Sequence, residues 1–102
     1  MKIGLHTRLK PGSEERYEEY HRAVWPEVID AIKGAGIRRY LIFRDGLDLF
    51  HFIECDDYDS AIAEIARDPT SMKWEAEIAA MMAVTHDFSG QSSDRMRKIW
   101  EL

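Results

Sequence analysis

Apolar and polar residues alternate at the start of the chain: Ile3, Leu5, Thr7 and Leu9 share one side, and Lys2, Gly4, His6 and Arg8 the other. Alternation with period two predicts a β-strand over 2–9 with one buried face, and Pro11-Gly12 ends it. The period then changes. Tyr17, Tyr20, His21, Val24, Val28 and Ile32 recur at helical spacing. Ser13 is the candidate N-cap, with Glu14 and Glu15 in a first turn that favours acidic side chains. Pro26 interrupts this helix, because an interior proline removes a hydrogen bond and clashes with the carbonyl four residues earlier, that of Arg22. The segment is expected to kink there, or to end near Val24 and restart with Pro26 in a new first turn.

Gly34 and Gly36 close the helical region. Two apolar runs, Ile37–Phe43 and Leu49–Cys55, flank Asp45-Gly46 as a turn signal and predict a β-hairpin over about 37–55. Both arms are apolar or aromatic on each face, whereas a sheet with one wet face alternates cleanly. Something is therefore expected to cover the second face. Asp57 or Asp59 can cap a short helix through Ala61, Ile62 and Ile65, which Asp68-Pro69 ends. Thr70 or Ser71 can cap the next, with Trp74, Ile78, Met81 and Met82 as its apolar stripe. The stretch 85–94 reads as a loop and 96–102 as a last strand.

Strand, helix, strand, strand, helix pair, strand is the βαββαβ order of the ferredoxin-like arrangement, an α+β fold with an antiparallel sheet and helices on one face. Without repeats or linkers, 1–102 reads as a single domain. The apolar second face of the hairpin is explained if it packs on another copy, in a dimeric α/β-barrel type of assembly. A homodimer is expected, with 96–102 near the partner.

Charge narrows the partners. Fourteen Lys and Arg face nineteen Asp and Glu, a formal net charge of −5, with no basic run or stripe. Nucleic acid and anionic membrane are poor partners for such a chain, and a phosphorylated or carboxylate substrate meets a mildly repulsive field. A neutral small molecule does not. No stretch reaches the about 20 apolar residues of a membrane helix, and no signal-peptide pattern is present. The lone cysteine, Cys55, cannot form an internal disulfide and reads as a small apolar strand residue. The expected location is the cytoplasm.

The chemistry concentrates in Tyr17–Glu27. Tyr17 and His21 stand four apart, on one helix face, and Trp25 follows four further on. A phenol, an imidazole and an indole together suit a small polar ring on which protons are moved, although the same three can serve as core residues with satisfied polar tips. Metal binding is poorly served: His6, His21, His51 and His86 form no His-x₃-His or Glu-x-x-His, and only His6 and His51 could meet across neighbouring strands. No glycine-rich phosphate loop or nucleophile elbow occurs. What remains is acid–base work by His21, with Tyr40 and Trp74 adding a hydroxyl and a flat face. Sugars fit such a lining, since their C–H faces pack on aromatic rings and their hydroxyls need a few fixed polar partners. Trp74 and Trp100 can also be read as core.

The segment Tyr17…His21…Val24-Trp25-Pro26-Glu27 resembles the Y-x-x-x-H-x-x-[IV]-W-P-E signature of the L-rhamnose mutarotases, at the same distance after a first strand. The resemblance continues through Ile37–Phe43 with Tyr40, the hairpin, and Asp68-Pro69…Lys73-Trp74, and so covers nearly the whole chain. It implies a ferredoxin-like fold, a dimer, no metal or other cofactor, and interconversion of the α and β anomers of L-rhamnose. By motif it places the general acid on His21, the sugar-binding tyrosines on Tyr17 and Tyr40, and the family's tryptophan pair on Trp74 and Glu75. Trp25 completes the set of substrate-binding candidates. Two departures stand out: Glu75 replaces a second tryptophan, and Thr85–Gln91 replaces a loop rich in Asn, Pro and Asp. Both border the expected sugar, so L-fucose stands as a second substrate beside L-rhamnose. Ring opening needs a proton at the ring oxygen and loss of another from the anomeric hydroxyl, with His21 as acid toward one oxygen and Tyr17 or a carboxylate such as Glu75 assisting at the other. Two rival readings of the aromatic pocket remain: a sugar-binding or sensing module without catalysis, and a cofactor-free ferredoxin-like monooxygenase.

Overall fold

The computed structural model describes Met1–Leu102. Its elements run β1 (Lys2–Leu9), α1 (Glu14–His21), α2 (Pro26–Gly34), β2 (Ile37–Asp45), β3 (Asp48–Cys55), α3 (Tyr58–Ala66), α4 (Pro69–Ala79), β4 (Met82–Val84) and β5 (Arg95–Met96). The strands form one antiparallel sheet in the order β2-β3-β1-β4, with β5 pairing a further part of β1. This is the ferredoxin-like α+β order read from the sequence.

Strand parity sorts the two faces. Ile3, Leu5, Thr7 and Leu9 of β1 and Leu49, His51, Ile53 and Cys55 of β3 all point into the core. There they meet Val28 of α2, Tyr58, Ala61 and Ile65 of α3, and Trp74 and Ile78 of α4. An irregularity between Ile37 and Arg39 lets Tyr40 and Ile42 share that inner face, opposite Ile53 and His51. The outer face carries the cross-strand pairs Leu41–Phe52 and Phe43–Phe50, with Gly4 and His6 alongside. No helix covers it, and Phe43 is 61% exposed.

Pro26 breaks the first helical segment in the second of the two expected ways. α1 ends at His21, Trp25 adopts the extended conformation (φ −59°, ψ 134°) favoured before proline, and Pro26 begins α2. Several boundaries differ from the sequence reading. Ser13 sits at the N-cap of α1 without a side-chain bond. Asp57 is the cap of α3, accepting from Ser60 N–H, and Asp68 caps α4 by accepting from Ser71 N–H, in place of Thr70 or Ser71. Pro69 thus starts α4 as well as ending α3. The hairpin turn is Gly46-Leu47, one residue later than Asp45-Gly46, with Asp45 opposite Asp48 and Gly46 at φ 62°. That is the glycine-first pattern of a two-residue II′ turn.

The largest corrections lie after α4. The helix ends at Ala79, so Met82 belongs to the edge strand β4, opposite Leu9. Apolar periodicity ran across this boundary because Ile78, Met81 and Met82 all feed one core. The last strand is only Arg95–Met96. Residues 97–102 continue without strand pairing, leaving Trp100 73% exposed, with Glu101 tied to Lys2 and Lys98. β4 pairs Arg8 and Leu9 at one end of β1, and β5 pairs Gly4 and Leu5 on the same edge.

Candidate functional site

A cavity of about 320 Å³ opens between the inner face of β2 and the helices α1, α2 and α4. Tyr17 and His21 enter it from α1, Tyr40 from β2, Trp74 and Glu75 from α4, and His86 from the loop that follows β4. The break at Trp25-Pro26 ends α1 at His21, which leaves that ring at a helix terminus facing the opening rather than mid-helix.

Tyr17 and His21 meet as the i, i+4 spacing requires, with ring centroids 4.2 Å apart. His21 Nδ1 lies 2.9 Å from the Tyr17 carbonyl oxygen. A carbonyl only accepts, so Nδ1 carries the hydrogen and Nε2 is left with its lone pair. Burial pushes the His21 pKa below the ordinary imidazole value, partly offset by the carbonyl bond and reinforced by His86. His21 is therefore neutral at physiological pH, with a basic nitrogen available. Burial also pushes up the Tyr17 and Tyr40 phenols, with help from the Glu75 charge, so both remain hydroxyls. The Glu75 carboxyl is raised by burial and drawn partly back by His86.

Trp74 is the flat wall of the site. It is 4% exposed and packs edge-on against His21 at 5.8 Å and against Trp25 at 5.2 Å between centroids. Trp25 supports Trp74 from the side and is not among the residues lining the cavity. The backbone turn before Pro26 carries the indole off the Tyr17–His21 face. The structure thus brings together Tyr17, His21, Tyr40, Trp74 and Glu75, and sets Trp25 behind them.

His6 and His51 do not meet. Leu5 is opposite His51 and His6 opposite Phe50, so the two imidazoles lie on opposite faces of the sheet. His6 bonds Asp48 on the outer face, and no group of three or more His, Cys, Asp or Glu is placed to hold a metal ion. His51 instead contacts Thr7 and Tyr40, and Tyr40 contacts His86. Sequence reasoning left His51, His86 and Asp94 out of the site. Strand parity was the usable signal for His51: it shares a face with Leu49 and Ile53, and a histidine there needs buried partners.

An α+β ferredoxin-like domain with an aromatic acid–base cavity between sheet and helices defines a class of small-molecule enzymes and binders rather than one activity. The comparisons are more particular. Residues 2–102 match the sequence pattern of the family described as L-rhamnose mutarotase. The L-rhamnose mutarotase of Burkholderia orbicola (strain MC0-3) is 37% identical over 87 residues, covering 83% of each chain. The crystal structure of L-rhamnose mutarotase from Formosa agariphila superposes with TM-score 0.80 at 25% identity, over 100% of this chain and 98% of that one. Tetracenomycin F2 cyclase from Streptomyces glaucescens shares the fold, with TM-score 0.74 at 14% identity over 100% and 96% of the two chains. The chain belongs to the L-rhamnose mutarotase family, whose members are isomerases.

Proposed function

We propose that this protein interconverts the α and β anomers of a free 6-deoxy-L-hexose, L-rhamnose first and L-fucose second, as a single-domain cytoplasmic enzyme without metal or organic cofactor. The observation that carries the reading is the His21 ring, held by the Tyr17 carbonyl with a basic Nε2 in an aromatic cavity. In its resting form His21 takes the proton from the anomeric hydroxyl. Glu75, whose raised carboxyl retains a proton more readily than an exposed one, delivers it to the ring oxygen as the C1–O5 bond breaks. The aldehyde turns about C1–C2. Closure on either face runs the same transfers backwards: His21 returns its proton to O1 and Glu75 recovers its own from O5. His21 is thus base on opening and acid on closure. Tyr17 and Tyr40 hold hydroxyls, and Trp74 meets a C–H face.

The outer sheet face supports a homodimer. Leu41, Phe43, Phe50, Phe52 and Met96 form an apolar surface of a kind that soluble monomers rarely leave open. A second copy, facing sheet to sheet, is the occupant that the apolar hairpin calls for.

Saturation-transfer NMR of anomer exchange is the deciding measurement. Faster exchange of L-rhamnose is expected. Binding without faster exchange would make the protein a sensing module, and tight binding of sugar phosphates with none of free L-sugars would overturn the substrate. Glu75→Trp is expected to weaken exchange while shifting preference toward L-rhamnose over L-fucose, since it trades the proton donor for the apolar plate usual in the family.

A further inference from the structure

A row of polar side chains that the proton transfers above leave unused runs from Tyr40 and His86 in the cavity lining into the buried core. Thr7 Oγ1 is 2.9 Å from His51 Nε2, and His51 Nδ1 is 3.2 Å from the Tyr40 hydroxyl. That hydroxyl is 3.3 Å from His86 Nε2, and His86 Nδ1 is 3.5 Å from Asp94 Oδ2. Thr7, His51 and Asp94 are 0%, 2% and 5% exposed, so bulk water does not compete for these groups.

One end of the row dictates the direction of every bond in it. A carboxylate only accepts. Asp94 Oδ2 already takes the Asp87 N–H at 3.1 Å. Burial alone would raise this carboxyl, but the His86 and Asp87 bonds override it and hold the group below its ordinary range. With Nδ1 3.5 Å from that carboxylate, a neutral His86 is favoured by the charge to carry its hydrogen on Nδ1. A neutral ring has only one, so Nε2 is bare and the Tyr40 hydroxyl hydrogen points at it. The Tyr40 oxygen then faces His51 as an acceptor, which puts the His51 hydrogen on Nδ1, leaves Nε2 bare, and makes Thr7 the donor there. Reversing any single bond sets two hydrogens or two lone pairs face to face, away from water.

We propose that Thr7, His51, His86 and Asp94 are positioning residues that act through Tyr40, locking its hydroxyl hydrogen onto His86 Nε2 and so away from a bound ligand. Tyr40 then meets the ligand through a lone pair alone and selects a sugar hydroxyl that donates. An ether or carbonyl oxygen at that place opposes lone pair to lone pair and is rejected. The proposal rests on the reading of the cavity as the sugar site.

Side-chain nitrogen NMR of protein labelled with ¹⁵N-histidine tests the lock without any ligand, at a pH above the ordinary imidazole pKa of about 6.5. Both His51 and His86 are expected to carry hydrogen on Nδ1 and to be bare at Nε2. A His51 hydrogen on Nε2, or a His86 imidazolium, reverses the Tyr40 hydroxyl and overturns the proposal. In Tyr40→Phe the acceptor oxygen is gone, and His51 is expected to move its hydrogen to Nε2 and donate to Thr7; a His51 that stays unchanged shows that Tyr40 does not govern the row. Asp94→Asn can donate or accept and so releases the lock. It is expected to raise KM for L-rhamnose about five- to tenfold, with the loss in KM rather than kcat, the worth of one ordinary hydrogen bond. In a Tyr40→Phe background the same change should add nothing, and equal losses in both backgrounds would reduce Asp94 to a packing group. A protein with the expected tautomers that binds no free sugar would keep the lock and refute the sugar reading instead.

Discussion

His21 differs from a packed helix histidine in the bond it makes backwards to Tyr17 and in the nitrogen this leaves bare. If that nitrogen moves the proton, His21→Ala removes most of the ~10²–10⁴-fold that positioned acid–base groups contribute, with the fold intact and sugar affinity only modestly lower. A core histidine would show the opposite pattern: a stability loss of ~2–5 kcal/mol and a rate that suffers only through unfolding. Anomer exchange and thermal melts on one sample separate the two. Tyr17→Phe, which leaves no cavity, is expected to cost ~0.5–1.5 kcal/mol in rate or affinity, read from kcat/KM. His51 makes a separate prediction about pH. Burial, aided by the His86 charge, brings its pKa down to about 3. The unfolded chain, with histidine near ~6.5, therefore binds this proton first as pH falls. Stability is full above about 6.5 and declines toward about 3, at up to ~1.4 kcal/mol per pH unit for this one proton. Thermal melts across that range should show a shallower decline in His51→Gln; an unchanged slope would show that His51 does not gate acid unfolding.

Among the elements, α4 shows best how local chemistry sets the site. Asp68 accepts both the Ser71 N–H at 3.0 Å and the Ser71 hydroxyl at 2.6 Å, and Pro69 supplies the ready-made first-turn φ. With the start thus set, Trp74 faces inward with Ile78, and Glu75, one position round the helix, reaches the cavity. Asp68→Ala is expected to cost ~0.5–2 kcal/mol of stability, measured by denaturant unfolding, while exchange per folded molecule holds at temperatures well below the melt. A loss of exchange without a loss of stability would mean that Asp68 acts on the site itself. The α1–α2 break was legible because proline acts through its own ring and the residue before it. β4 was not, since a three-residue edge strand beside a helix shares that helix's apolar inventory.

For the whole molecule, the open sheet face dominates. The residues that make it apolar lie on three strands, and Phe43 with Phe50 is a directly opposed pair on it. Light scattering at micromolar concentration is expected to show a dimer, and Phe43→Arg with Phe50→Arg a monomer of lower stability. A stable wild-type monomer would end the sheet-to-sheet proposal. The exposed Ile99, Trp100 and Leu102 adjoin this question, because their tail leaves β5 where Met96 lies across from Gly4 on the outer face.

Local forces decided much by themselves. Alternation set which face of β1 is buried, proline and glycine set the helix break and the hairpin turn, and i, i+4 spacing put Tyr17 over His21. Each of these depends on dihedral preferences and side-chain placement within a few residues, so a linear reading suffices. Tertiary structure decided the rest. Trp25 turned out to brace Trp74, the terminal strand shrank to two residues, and Thr7, His51, Tyr40, His86 and Asp94 joined into one row. The reason is that hydrogen-bond direction and desolvation belong to groups distant along the chain: a histidine's tautomer is chosen by whichever donor or acceptor the fold presses against it, and no spacing rule encodes that choice.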